Sequence, residues 1–505
     1  MCGIFLCISK DAEVANRILN ELEPTLNRRG PDSFQRIDRI EQVHSKSQNK
    51  ISSNLYITFA GSVLWLRGKC PQSQPLIDGN GGILLWNGDV FGGFDVAGEE
   101  CDTSLLSEKL SNSNTNIPEL MSSIQGPYAF LYYQTATKKL WFGRDFFGRH
   151  SLLISKTKDC IILSSVMSEN SRQKFKFVEI PAEGIYQTDI EFFDHQIINM
   201  YPYLRENSSS EKETTGYKLY SNLLPNIGNS LNVTYLNDMP DIDIYKSINL
   251  EDCKHENIIS QLLSNDKFSD FVETFREKLL ASVHKRVISQ PGLCKNCVNK
   301  IIEESKGMYS EKLKCTHPKI SVLFSGGLDS AVLAALVHLC LPKEEELDLI
   351  NVAFEQPVPK ASDCSNINKD SSFNVPDRQT GIIALEELQK AYPERKFNFV
   401  MVNVEKSELI KKRNEHIKNL LFPLDTVLDD SIGCAIWFAA RGEGILFESD
   451  NDSKNKLPYQ SSSRVIILGM GADEQLGGYS RHRNRYRREG FDGLLNEIRL
   501  GKLPQ

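Results

Sequence analysis

Leu323-Phe324-Ser325-Gly326-Gly327-Leu328-Asp329-Ser330-Ala331-Val332-Leu333 changes character twice in one short stretch. The apolar run over 320–324 has strand character, Ser325-Gly326-Gly327-Leu328-Asp329-Ser330 breaks it, and the apolar residues then return with a helical period. Strand, glycine turn and helix start are thus consecutive. Two glycines let the backbone approach a phosphate chain without Cβ clashes, and the hydroxyls of Ser325 and Ser330 add donors beside the amides of the helix N-terminus. The stretch reads as an anion cradle, the alternative being a glycine turn that only opens a buried helix. It lacks the lysine of a P-loop and the spacing of the dinucleotide fingerprint.

Working outward toward the C-terminus, the pattern alternates. A helix is expected over 331–341, a strand ending in Asn351-Val352-Ala353-Phe354, and a variable loop to Ser372. Val375-Pro376-Asp377-Arg378 then opens a helix, 398–404 reads as a strand, 431–440 as a helix and 464–468 as a third apolar strand. Such alternation predicts a doubly wound parallel sheet with ligands at the C-terminal strand ends. The last strand delivers Gly469-Met470-Gly471-Ala472-Asp473-Glu474-Gln475-Leu476-Gly477-Gly478-Tyr479. Ser-Gly-Gly-x-Asp-Ser resembles the pyrophosphate loop of ATP pyrophosphatases, which implies ATP binding by Leu323, Ser325, Gly326, Gly327, Asp329, Ser330 and Gly469. Asp329 and Asp473 suit Mg²⁺ held between carboxylates and pyrophosphate oxygens.

A chain of 505 residues exceeds one core, and roughly one domain per 150 residues gives two to four. The net charge of −7 argues against a general nucleic-acid or anionic-membrane partner. The exception is Arg481-His482-Arg483-Asn484-Arg485-Tyr486-Arg487-Arg488, read as a solvated helix face or as a site rim for a polyanion. Met1-Cys2-Gly3-Ile4 lacks the basic start of a signal peptide, and no apolar stretch reaches bilayer length. Twelve cysteines, mostly inside apolar runs, fit a reducing compartment, so a cytoplasmic location is expected.

At the N-terminus, Cys2 precedes Gly3 and the strand-like Ile4-Phe5-Leu6-Cys7-Ile8. Once Met1 is removed, Cys2 carries both a thiol, with a reference pKa of about 8.5, and an α-amine at about 7.7–8.0. Nucleophile and base then share one residue. Arg29-Gly30-Pro31-Asp32, Asn87-Gly88-Asp89, Cys101-Asp102-Thr103 and Arg144-Asp145-Phe146-Phe147-Gly148 follow in the order found in class II glutamine amidotransferase domains. The resemblance implies an N-terminal-nucleophile αββα sandwich over 2–204. Asn87 and the Gly88 N–H could form an oxyanion hole, Asp102 could bind the glutamine α-ammonium, and Asp89 and Arg67 complete the glutamine site. Strands are expected at 57–66, 83–86, 128–133, 140–142 and 160–163. The family's carboxylate-gripping arginine falls, by ungapped count, on Val63. Arg67 lies four residues on along the expected strand, about 13 Å away at about 3.3 Å per residue, so weak glutamine saturation is expected. The expected Arg-Pro pair after Gly148 is replaced by Arg149-His150-Ser151.

Residues 205–267 shift to Asn, Ser, Glu and Lys and read as a linker or insertion. Phe271, Phe275, Leu279, Val283 and Val287 then mark a helix over 268–288, expected to pack on the second domain, 268–505. Within 294–317, Cys294, Cys297, Cys315 and His317 offer three thiolates and an imidazole, either a tetrahedral zinc site or four unrelated loop residues.

A Cys2 glutaminase followed by Ser-Gly-Gly-x-Asp-Ser and Gly-x-Gly-Ala-Asp-Glu resembles glutamine-dependent asparagine synthetase. Leu140-Trp141-Phe142-Gly143-Arg144-Asp145-Phe146-Phe147-Gly148-Arg149, Pro376-Asp377-Arg378-Gln379-Thr380-Gly381, Pro423-Leu424-Asp425-Thr426-Val427-Leu428-Asp429-Asp430-Ser431-Ile432-Gly433 and Tyr479-Ser480-Arg481-His482-Arg483 resemble, more narrowly, the asparagine synthetase domain-containing protein 1 group. The resemblance implies an ATP-dependent ligase that hydrolyses glutamine and amidates aspartate or another carboxylate. Its rival is a degenerate paralogue with a binding or regulatory role. Two departures bear on the choice. Met470 stands where synthetases proper carry glutamate, and the sequence ends at Gln505, before the helical segment in which the family places a functional lysine. Self-association, the acceptor and the ammonia route stay open.

Overall fold

A computed structural model of the chain describes residues 2–44, 51–98, 100–195, 197–203, 219–224, 259–260, 262–289, 292–305, 315–357, 372–447 and 457–501. Two compact units emerge: Met1–Pro291 with Asn299–Glu311 and Lys418–Thr426, and Gly292–Val298 with Lys312–Ile417 and Val427–Gln505.

The first unit contains β1 (Gly3–Ser9), β2 (Ser33–His44), β3 (Ile51–Val63), β4 (Leu76–Ile77), β5 (Ile83–Gly88), β6 (Tyr128–Gln134), β7 (Lys139–Arg144), β8 (Leu153–Thr157), β9 (Cys160–Ser164), β10 (Val178–Glu179), β11 (Gly184–Asp189), β12 (Ile198–Pro202) and β13 (Asn222–Leu223). They form two sheets, ordered β10-β8-β9-β1-β3-β2 and β13-β12-β11-β7-β6-β5-β4. Side-chain alternation along β1 explains the layering, because successive residues face opposite sides of a sheet. Ile4, Leu6 and Ile8 pack with Ile57 and Phe59 of the same sheet against Leu85, Leu131 and Phe142 of the other. Phe5 and Cys7 face the other way, onto Ile18, Leu22 and Leu26 of the helix Glu13–Arg29. On the outer face of the second sheet, Trp86, Phe130 and Trp141 pack with Leu106 of the helix Asp102–Ser111 and Met121 of the helix Ile117–Ser123. Helix, sheet, sheet, helix is the four-layer order that the N-terminal resemblance implies.

The second unit carries β14 (Ile320–Leu323), β15 (Leu347–Phe354), β16 (Phe397–Val404), β17 (Glu443–Leu446), β18 (Pro458–Gln460) and β19 (Val465–Ile467), ordered β18-β17-β16-β15-β14-β19. β16, β15, β14 and β19 run parallel, while β17 and β18 add an antiparallel edge. Leu347, Leu349, Ile350, Phe399, Val400 and Val322 are buried, the near-continuous apolar content of parallel strands covered on both faces. The chain winds outward from β14 to β16 and returns to β14's other side at β19. That reversal, between β14 and β19, is the switch point where such sheets bind ligands.

Three expectations are corrected. The strand expected over 57–66 ends at Val63. The helix Asp266–Ile288 falls in the first unit. There Lys285 donates to the Phe91 carbonyl at 3.0 Å, while Phe271 and Phe275 of its apolar stripe are exposed. The expected linker over 205–267 lies mostly outside the described residues, but its described part adds β13 in parallel to β12 and buries Leu219 in the inter-sheet core. No helix among the described residues is long and apolar enough to cross a membrane. The ten described cysteines are all free.

Candidate functional site

Cys2 immediately precedes β1, whose first residue pairs with Ser62 at the end of β3. Gly3 is required there: a Cβ would stand 2.4 Å from Ser62 Oγ, and the Gly3 amide donates to that oxygen at 3.1 Å. The buried Arg29 guanidinium donates from Nε to the Cys2 carbonyl at 3.3 Å, and burial lowers its pKa to about 10. Cys2 opens onto a pocket that Val63, Arg67, Asn87, Gly88, Asp89, Asp102 and His150 also line. All six glutaminase residues singled out in the sequence therefore share one cavity.

Burial pushes the Cys2 thiol above its ordinary range, and only the positive charge of the chain's N-terminal amine, with Met1 still in place, and a backbone hydrogen bond near Leu64 work against it. The resting thiol is thus protonated at neutral pH. Asn87 is fully buried, and among the described residues neither its amide nitrogen nor its amide oxygen has a hydrogen-bond partner. An unpaired buried amide costs about 1–3 kcal/mol, a state that a ligand oxygen would relieve. A Cβ on neighbouring Gly88 would lie 2.6 Å from Tyr128 Cβ, so the backbone approaches too closely for any other residue.

Asp102 accepts from the amides of Val90 (3.2 Å) and Thr103 (2.8 Å). Burial, and then the charge of Asp89, nevertheless raise its pKa to about 6. Asp89 is raised too, by burial, with the N-terminal amine of the unprocessed chain, Arg67 and Arg286 acting in the opposite sense. Arg67 is not 13 Å along a strand. Because β3 stops at Val63, the chain turns: Asp32 accepts from the Trp65 amide at 2.6 Å, and Trp65 Nε1 donates to the Gly68 carbonyl at 2.9 Å. That turn brings Arg67 into the pocket, with its Nε unpaired among the described residues.

Two residues here were missed. Arg286, from the helix Asp266–Ile288, lies 4.6 Å over the Phe91 ring and acts on Asp89. His150 lines the pocket, and burial, followed by the charge of Arg29, lowers its pKa to about 3, so it stays neutral. Only the departure from Arg-Pro at Arg149-His150 could have flagged it.

In the second unit β14 and β19 place their following loops side by side. Gly326, with φ +81°, packs so tightly on the helix Pro376–Ala391 that a Cβ would lie 2.3 Å from the Thr380 carbonyl carbon. Asn351 fixes the strand end by donating to Phe324 O (2.7 Å) and Asp377 O (3.0 Å), and Arg378 Nε donates to Asn351 Oδ1 at 2.6 Å. Inside the loop the Gly326 amide donates to Ser330 Oγ (3.1 Å) and the Gly327 amide to Ser325 Oγ (3.2 Å). The serines therefore shape the turn. The helix Leu328–Cys340 has no side-chain cap on Gly327, which leaves its first-turn amides open for an anion. A Cβ on Gly469 would stand 3.2 Å from Asp329 Cβ, so the loop after β19 reaches the cradle. Asp473 lies in the first turn of the helix Ala472–Leu476, and Met470, in the loop before it, is 65% exposed.

The basic run lies on the helix Ser480–Gly501, broken at Gly490, where Arg485 pairs with Glu489 (2.5 Å) and Glu497 (3.2 Å). That is the solvated-face alternative. Cys294, Cys297, Cys315 and His317 converge, with their ligand atoms within 4.8 Å of one another.

No protein-family model matches the chain. A solved structure, glutamine phosphoribosylpyrophosphate amidotransferase from B. subtilis complexed with ADP and GMP, gives a TM-score of 0.28 at 17% identity, over 38% of this chain and 48% of that one. The chain is 35% identical to the Bos taurus asparagine synthetase domain-containing protein 1, over 99% of its own length and 82% of that protein. The Mus musculus protein of that name is 37% identical, over 99% and 83%. The Drosophila melanogaster asparagine synthetase domain-containing protein CG17486 is 29% identical, over 97% and 79%. With such identity spread over nearly its whole length, the chain belongs to the family of asparagine synthetase domain-containing protein 1.

Proposed function

We propose that the chain is a cytosolic, glutamine-hydrolysing, ATP-dependent amidotransferase of the asparagine synthetase type. The observation that carries this reading is the buried, unpaired amide of Asn87 in the same pocket as Cys2. Removal of Met1 would free the Cys2 α-amine, which takes the thiol proton as sulfur attacks the glutamine amide carbon. The C–S bond forms and negative charge moves to the carbonyl oxygen, where Asn87 Nδ2 and the Gly88 amide stabilise it. Collapse expels ammonia, protonated by the α-ammonium, and water then hydrolyses the γ-glutamyl thioester to glutamate. Asp102 and Asp89 suit the substrate α-ammonium and Arg67 its α-carboxylate.

In the second unit, the open amides of the helix Leu328–Cys340 and the glycine cradle suit the phosphates of ATP. The acceptor carboxylate, by family analogy that of aspartate, would be activated there with loss of pyrophosphate and then attacked by ammonia. Asp329 and Asp473 are the residues that would hold Mg²⁺, which supplies charge neutralisation for the leaving pyrophosphate. Two ligands alone do not make a site, and phosphate oxygens would complete the set.

A glutamine-analogue electrophile applied to the processed protein is expected to label Cys2 alone. Asn87→Ala should leave the label but lower glutaminase turnover about 10²–10³-fold, as loss of an oxyanion-hole donor does. Labelling that survives Cys2→Ala would overturn the assignment.

A further inference from the structure

The amidotransferase chemistry makes no use of Cys294, Cys297, Cys315 and His317, which the chain brings together from two segments. Cys294 directly precedes the helix Lys295–Ser305 and is fully buried, with Cys297 one turn along the chain. Cys315 and His317 lie in the extended approach to β14, where the Cys315 amide donates to the Gly292 carbonyl at 3.2 Å. His317 Nδ1 is 3.7 Å from Cys294 Sγ and 3.6 Å from Cys297 Sγ. A tetrahedral zinc with bonds of about 2.3 Å to sulfur and about 2.0–2.1 Å to nitrogen holds those atoms about 3.5–3.6 Å apart along its edges. These two edges are thus at tetrahedral length, and all four ligand atoms lie within 4.8 Å of one another, close enough for one ion to draw them in.

The surroundings suit thiolates. The Cys294 amide donates to Cys315 Sγ at 3.1 Å. An N–H group aimed at sulfur stabilises the anion that a metal ligand must become. These four residues are the only cluster of at least three metal-ligating side chains among the described residues, and their cysteines are free rather than paired in disulfides.

We propose that Cys294, Cys297, Cys315 and His317 bind one structural zinc ion, through three thiolates and His317 Nδ1. Binding releases the thiol protons and leaves the site with a net charge of −1, with no open position for catalysis. Its mechanical effect is local. The ion ties Gly292–Val298 to the segment that runs into β14, the strand that presents the glycine cradle.

The test uses the full chain, purified under reducing conditions and reconstituted with zinc. Elemental analysis is expected to give one zinc per chain. Cobalt exchanged into the site should show the visible bands of tetrahedral thiolate coordination, with an X-ray absorption fit of three sulfurs and one nitrogen. Cys297→Ser combined with Cys315→Ser should lower bound zinc at least tenfold. His317→Cys keeps four ligands, so it should retain the metal while the fit shifts to four sulfurs, which separates loss of the site from loss of the fold. A reconstituted wild-type chain without zinc, or an unchanged zinc content in the double serine variant, overturns the proposal.

Discussion

The Asp102 carboxyl holds its proton to about pH 6 in the folded chain, against about 3.8 when free, because it is buried beside Asp89. The sign of the consequence follows from which state ionises first. Below about pH 4 both folded and unfolded forms are protonated and nothing is lost. As pH rises toward 6 the unfolded chain ionises ahead of the folded one and stability falls, until above about 6 the whole penalty of about 3 kcal/mol stands. Asp102→Asn is therefore expected to stabilise the protein by roughly 1–3 kcal/mol at pH 7.5 and not at pH 4, read from urea midpoints at the two pH values, while glutamine turnover is lost. A gain of equal size at both pH values would show that the charge is not the cause. Arg67, unpaired at Nε among the described residues and lining the same pocket, is on the proposed reading the cation that would grip the substrate carboxylate. Arg67→Ala should raise KM for glutamine about 10–100-fold, the worth of a charge-assisted hydrogen bond, with a smaller change in kcat. An unchanged KM would return the question to Arg286.

Among the elements, the turn at Gly326 is constrained twice over, by a positive φ and by a neighbouring helix backbone 2.3 Å from any added Cβ. Gly326→Ala should destabilise the second unit by at least about 2 kcal/mol and make it the first to yield to limited proteolysis, with Cys2 labelling unaffected. Gly327→Ala is the control: its φ is −67° and its nearest contact would be an ordinary 3.4 Å, so stability should barely move. Equal losses in both variants would remove the argument from packing. This turn was legible because its signals are local, serine and glycine between an apolar run and a helical period. The parallel order of β14, β15 and β16 followed from the same alternation. Elsewhere the deciding contact lies far off in sequence. Arg67 reaches the pocket only because Asp32 caps the Trp65 amide and ends β3, and Arg286 comes from a helix whose apolar stripe suggested a different neighbour. The helix Glu13–Arg29 escaped notice because it carries Pro24 in its interior. β13 lies beyond a polar stretch that hides two edge residues.

At the scale of the whole molecule, the proposed amidotransferase function depends on two reactions keeping pace. Met470 cannot accept the proton that ammonia loses on attacking an activated carboxylate, and a positioned general base is worth about 10²–10⁴ in rate. Amide formation should thus lag behind glutamine hydrolysis, with several glutamates released per amide made. Met470→Glu should bring that ratio toward one, measured by quantifying both products with ATP and aspartate. A wild-type ratio already near one would mean that Glu474 or water serves as the base. The address of Cys2, the proposed nucleophile, has a different consequence. Most reactive side chains ride on loops, which loosen before the rest of a protein, whereas Cys2 adjoins an interior strand bonded to β3 on one side and β9 on the other. Glutaminase inactivation on heating should therefore track the melting of the first unit itself, and a preparation that has lost that activity without unfolding has lost it at the α-amine or the sulfur, by retained methionine or by oxidation, and not through a shift in the scaffold.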